Sequence, residues 1–182
     1  MDQHNEIMNA KKILLAFMMF IFILASGFTQ EGSRKAKRKS DKIEHENQIG
    51  QLINSREFVF IATRALPQNG GSVDLTTNSN FTKFHPDRVE SYMPFYGRAY
   101  HVDYGGDGGI KFDAKPKEFK VTTRNRGKGY ALTISVPVSR DCFQLNLFVS
   151  PDGSSTLTIS SNDRSTITYF GDIVKPEAQA IK

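Results

Sequence analysis

Hydrophobic and polar positions along this chain follow different periods in different stretches. Residues 13–25 are an unbroken apolar run, residues 28–42 are almost wholly polar, and Ile43, Ile49, Leu52 and Ile53 form a sparse helical stripe. After Glu57 the period becomes two. The alternation predicts strands over Phe58–Ala65, Ser72–Thr76, Phe81–Phe84, Arg88–Tyr92, Ile110–Phe112, Phe119–Arg124, Tyr130–Val138, Phe143–Val149, Thr156–Ser160 and Thr166–Phe170. Turn chemistry separates them, at Pro67-Gln68-Asn69-Gly70-Gly71, His85-Pro86-Asp87, 125–129, 139–141, Pro151-Asp152-Gly153 and Ser161-Asn162-Asp163. Short strands at regular spacing with no helices between them imply an antiparallel meander closed into a barrel or sandwich.

The same alternation names a core. Tyr130, Leu132, Ile134, Val136 and Val138 share one face against Ala131, Thr133 and Ser135, and Phe143, Leu145, Leu147 and Val149 share one against Gln144 and Asn146. Leu157 and Ile159 face in while Thr156, Thr158 and Ser160 face out, so these strands are wet on one side. One helix precedes them, starting at a Ser40 or Asp41 N-cap and running to about residue 56, to plug one end of the barrel or lie across its side.

One stretch is richer than a strand requires. Tyr92-Met93-Pro94-Phe95-Tyr96-Gly97-Arg98-Ala99-Tyr100 precedes the glycine turn Tyr104-Gly105-Gly106-Asp107-Gly108-Gly109. Pro94 fixes φ and lacks an N–H, so a strand arriving through Tyr92 must bend there. Tyr92, Phe95, Tyr96 and Tyr100 are either a satellite core at one end of the barrel or the aromatic floor of a ligand site, and packing is the commoner use of aromatics. On a strand, Tyr96, Arg98 and Tyr100 would share one face, where a guanidinium can lie over a phenol ring or hold an anion. Arg98 could instead brace the turn through Asp103 or Asp107, with Arg164 and Tyr169 in the same brace.

These residues carry a resemblance. The aromatic block, the glycine turn before Phe112 and the closing run Asn162-Asp163-Arg164-Ser165-Thr166-Ile167-Thr168-Tyr169-Phe170-Gly171 resemble the Bacteroidetes envelope proteins grouped as domain of unknown function DUF4251. The resemblance covers about residues 50–174, with Pro67, Gly70, Gly71, Asp141, Pro151 and Gly153 as further landmarks in family order. The family block usually reads Tyr-Leu-Pro-Tyr-Phe-Gly-Arg-Ala-Tyr. Here Met93 stands for the leucine and Phe95-Tyr96 reverses the aromatics, so no single phenol hydroxyl is carried over. The resemblance implies a lipocalin-like β-barrel or clam of about 8–10 strands. It brings a fold and a compartment without an established activity.

The start of the chain bears on that compartment. Lys11 and Lys12, the thirteen apolar residues 13–25, and then Ser26 and Gly27 follow the order of a cleaved secretory signal. The run falls short of the roughly 20 residues that span a bilayer. The expected organisation is a signal peptide over 1–27, a disordered basic spacer over 28–41, the helix and barrel over 42–174, and a flexible tail over 175–182. The single cysteine, Cys142, lies far from the apolar run, which leaves no thiol there for a lipid anchor and no internal disulfide. A periplasmic or secreted product is expected, with no transmembrane segment in the mature chain.

Charge excludes more than it suggests. The formal charge of +5 is concentrated in the leader, where Arg34, Lys35, Lys37, Arg38, Lys39 and Lys42 face only Glu31 and Asp41. From Ile43 on, 16 basic residues meet 15 acidic ones, so a nucleic-acid partner is not expected. There is no serine elbow, phosphate loop or His-Glu-x-x-His pattern. His85 and His101 lie on different elements, and Asp103, Asp107 and Asp113 fit no calcium loop. Neither a catalytic residue nor a metal or cofactor is expected. The ligand-site candidates are Tyr92, Pro94, Phe95, Tyr96, Arg98, Tyr100, Tyr104, Arg164 and Tyr169. The first reading is an exported protein that binds a small apolar or mixed ligand, or a glycan, at the barrel mouth. The alternative is a structural or protein-protein interaction module of the envelope with a filled barrel.

Overall fold

The computed structural model describes residues 29–100, 108–124, 129–139 and 141–176. The signal-peptide reading of 1–27 therefore lies outside the described residues, as do Tyr104, His101, Asp103 and Asp107. The chain divides into two compact units between Glu44 and His45. The first contributes to the described residues only 29–44, the opening part of helix α1 (Thr29–Ser55). The helix thus begins well before the Ser40 or Asp41 cap, through residues expected to be a disordered spacer. Lys, Arg, Ala, Glu and Gln are good helix formers, and a solvated helix shows no apolar stripe to reveal it.

In the second unit the end of α1 docks on the sheet. Ile49 and Ile53 are buried and Leu52 half-buried, while Ile43 in the first unit is exposed. Gly50 and Gly153 make the close approach possible: a Cβ on Gly50 would stand 2.8 Å from the Tyr130 hydroxyl oxygen, and one on Gly153 3.1 Å from Ile49 Cδ1. Arg56 ends the helix with φ 57°, and its guanidinium carbon sits 4.8 Å from the centre of the Phe119 ring.

Ten strands follow: β1 (Phe58–Pro67), β2 (Val73–Asp74), β3 (Phe81–Phe84), β4 (Val89–Met93), β5 (Ile110–Ala114), β6 (Glu118–Thr123), β7 (Tyr130–Val138), β8 (Asp141–Val149), β9 (Ser154–Ser160) and β10 (Ile167–Val174). All pairs are antiparallel, in the order β5-β4-β3-β1-β10-β9-β8-β7-β6, with β2 beside β1. The first long strand and the last pair from Val59↔Val174 to Pro67↔Ile167 and join two meanders into one curled sheet. The sheet ends at β5 and β6, so the architecture is a clam of the expected lipocalin-like kind.

The inward faces match the alternation. Leu132, Ile134 and Val136 of β7, Phe143, Leu145, Leu147 and Val149 of β8, and Leu157 and Ile159 of β9 are buried, whereas Thr133 and Asn146 are exposed. They join Phe58, Phe60, Phe84, Met93, Ile110, Phe112 and Tyr169 in one hydrophobic cluster that fills the interior. Ser135, expected on the wet face, is buried in a polar group with Gln144 Nε2 at 2.9 Å and Cys142 Sγ at 3.3 Å.

β10 outruns the expected Thr166–Phe170, continuing through Gly171 and Asp172 to Val174. In the structure Gly171 is a packing requirement, since a Cβ there would meet the Ile61 carbonyl oxygen at 1.9 Å. The register of β1 shifts opposite it, between Ala62 and Arg64, leaving Thr63 and Arg64 exposed side by side.

Candidate functional site

The aromatic block starts where β4 ends. Tyr92 points outward and stacks on Phe81 across the β3–β4 pair, ring centres 5.9 Å apart, with Lys111 Nζ 4.1 Å from the centre of its ring. Met93 points inward and is fully buried. Pro94 then stops the ladder, as its missing N–H requires.

Beyond Pro94 the chain is held by a distant segment. Arg98 N–H donates to Ser165 Oγ at 3.0 Å, Ser165 N–H to the Arg98 carbonyl at 2.9 Å, and Tyr100 N–H to the Asp163 carbonyl at 2.7 Å. Ala99 and Arg164 form an isolated antiparallel bridge between these bonds. Gly97 permits the approach, because a Cβ there would lie 2.5 Å from both Phe95 Cζ and Ser165 Oγ. Residues 94–98 are therefore a strap, and Tyr96, Arg98 and Tyr100 do not share the face of one strand.

Two further side chains lock the strap from beneath. The Tyr169 hydroxyl donates to the Pro94 carbonyl at 2.7 Å, and burial, reinforced by Tyr96 and opposed by Arg164, pushes that hydroxyl well above a phenol's usual pKa. The Arg164 guanidinium lies 5.2 Å from the centre of the Phe95 ring and donates to the Gly108 carbonyl. Arg164 and Tyr169 thus belong to one brace with the block. Tyr169 is fully buried and Arg164 half-buried, so they support the site from below, whereas Tyr92, Tyr96 and Tyr100 remain exposed. The Arg98 side chain is exposed, and Pro94 and Phe95 are half-buried.

The strap borders an open groove of about 480 Å³, lined by Tyr92, Met93, Pro94, Phe95 and Tyr96, by the polar wall Thr77, Asn78 and Ser79, and by Gly109 and Lys111. Tyr100 does not line it. The sequence reading missed the polar wall and the residue that positions it. Asn80 is buried; its Oδ1 accepts from Ala62 N–H at 2.8 Å, and its Nδ2 donates to the carbonyls of Ala62, Asn78 and Leu75 at 3.0, 3.0 and 3.3 Å. The only sequence signal for it was an Asx- and Thr-rich run at 76–80, which reads as any turn.

The groove offers tyrosine faces, a proline, amide and hydroxyl groups and one ammonium. Among the described residues no three His, Cys, Asp or Glu side chains gather as a metal would require. No described helix is long and apolar enough to cross a membrane.

Comparisons with known proteins agree with this architecture. The model of a family described as domain of unknown function DUF4251 matches residues 40–173. A crystal structure of a DUF4251 family protein from Bacteroides eggerthii DSM 20697 is similar at a TM-score of 0.58 and 23% identity, over 74% of this chain and 89% of that one. No curated protein matches the chain.

Proposed function

The chain belongs to the DUF4251 family, a family of unknown function, and from that premise we propose that it is an exported, non-enzymatic envelope protein that binds a small ligand in the Tyr96 groove. The supporting observation is that Tyr92 and Tyr96 stay about 40% exposed beside the polar wall while four hydrogen bonds from two segments, the 163–165 loop and β10, hold the backbone of residues 94–100. Large aromatics held at the surface by the scaffold favour association. The interior is occupied by the core, so the ligand sits at the surface, with its apolar part against Phe95 and Tyr96 and its polar part toward Asn78 and Ser79. The filled interior equally suits the alternative, a protein partner that covers Tyr96 and Tyr100.

The chain has no tryptophan and six tyrosines, which makes tyrosine emission a direct probe. Titrating the full chain with fractionated small-molecule envelope extracts should give a saturable emission change that Tyr96→Ala removes. A flat response to every fraction, together with capture of an envelope protein that Tyr96→Ala abolishes, would favour the alternative. Export is tested separately, by sequencing the N-terminus of the periplasmic form, and a chain still beginning at Met1 or Met8 would contradict it.

A further inference from the structure

The outer face of the sheet holds two rings that the fold does not call for. Outward positions of a one-sided antiparallel sheet are ordinarily polar. Here Phe170 of β10 and Phe148 of β8 both face out, and both are in register with Thr156 of β9, which lies between them. The rings are half-buried, and neither belongs to the hydrophobic cluster of the interior. Arg64 stands over Phe170 with its guanidinium carbon 4.6 Å from the ring centre, and Arg124 is 6.0 Å from that of Phe148.

Between the rings is a depression of about 320 Å³ edged by Thr63, Ser150, Ser154, Thr156 and Asp172. It shares no lining residue with the Tyr96 groove. We propose that this depression is a second binding site and that its ligand is a saccharide. A pyranose has an apolar C–H face and a rim of hydroxyls. The first matches a phenyl ring and the second a border of serine and threonine hydroxyls with one carboxylate.

Two strand spacings separate the rings by about 10 Å, roughly the length of two sugar units, so the first and third units of a trisaccharide can each meet a ring while the depression holds the middle one. The volume is near the lower end of the roughly 300–1,000 Å³ of small-ligand sites, enough for one or two sugar rings. A wholly apolar ligand would strip water from the hydroxyls and the Asp172 carboxylate without replacing it, whereas sugar hydroxyls can accept from Arg64 and donate to Asp172.

The test is a ¹⁵N NMR titration of the full chain with cellotriose, maltotriose and chitotriose. At least one should shift the amides of Ser154, Thr156, Phe170 and Asp172 saturably, with a Kd on the order of 1 mM. Phe170→Ala should weaken that binding about tenfold or more. Phe148→Leu keeps the apolar volume but removes the ring, and should weaken binding similarly at an unchanged melting temperature, which preserves the test if Phe170→Ala fails to fold. Tyr96→Ala should leave these shifts unaltered, which separates this site from the other groove. The proposal is overturned if no probe gives saturable shifts by about 20 mM, an affinity too weak to be specific. It is also overturned if binding survives Phe148→Leu, or if the shifts fall only around Asn78 and Tyr96.

Discussion

Asn80 and Tyr169 each carry a polar group into the apolar interior, and each is fully committed there. Asn80 makes four hydrogen bonds to backbone groups of β1 and its own loop, so removing it leaves buried N–H and C=O groups unpaired. Asn80→Ala should lower unfolding free energy by about 2–4 kcal/mol in urea titrations, since each orphaned buried group costs roughly 1–3 kcal/mol. Tyr169→Phe keeps the ring and loses only the bond to Pro94, so its cost should be about 1 kcal/mol at neutral pH. Its pH dependence is more telling. The folded-state pKa lies above the unfolded value of about 10, so the unfolded chain releases the proton first and stability falls as pH rises through and beyond about 10. Below that pH the contribution is fully present. Between about pH 10 and 11.5, Tyr169→Phe should therefore lose less stability than the wild-type chain.

The strap and the β1–β10 pair show how two glycines set the packing of larger pieces. Gly171 faces backbone atoms, which cannot move aside as a side-chain end can. Gly171→Ala should cost about 3 kcal/mol or more by separating β1 from β10, seen as a drop of the urea midpoint, whereas Gly71→Ala, with open space around it, should be within about 0.5 kcal/mol of wild type. Residues 171–174 also mark the limit of sequence reading. Alternation located every described strand, but it stops at Gly171, which has no side chain to alternate, and only the neighbouring strand makes that glycine a contact. The start of α1 was hidden for the opposite reason, because a solvated helix leaves no periodic apolar trace. Within the site, Tyr92–Tyr100 stood out because its aromatics are contiguous. Asn78, Ser79 and Lys111 complete the groove from distant strands and loops, and periodicity within one strand does not say which strand lies beside it. Ser165 and Asn80 act through backbone groups, which composition does not reveal.

For the whole molecule, the interior carries stability and the outside carries the proposed ligand sites. The interior is one apolar cluster that spans both halves of the sheet, and burying each large side chain in it contributes about 1.5–3 kcal/mol. Ile134→Asp should abolish cooperative unfolding, and Thr133→Asp, next to it but exposed, should fold normally by circular dichroism. The proposed ligand site lies on the surface, at the mouth where β4 gives way to the strap. The most direct measurement is native mass spectrometry of protein purified gently from the envelope of its own cells. A bound small-molecule mass that disappears in Tyr96→Ala, with the fold intact, is the predicted result. A clean apo mass that persists after adding envelope lipid and glycan extracts would contradict it, and would leave Tyr92, Tyr96 and Tyr100 as a surface for another protein.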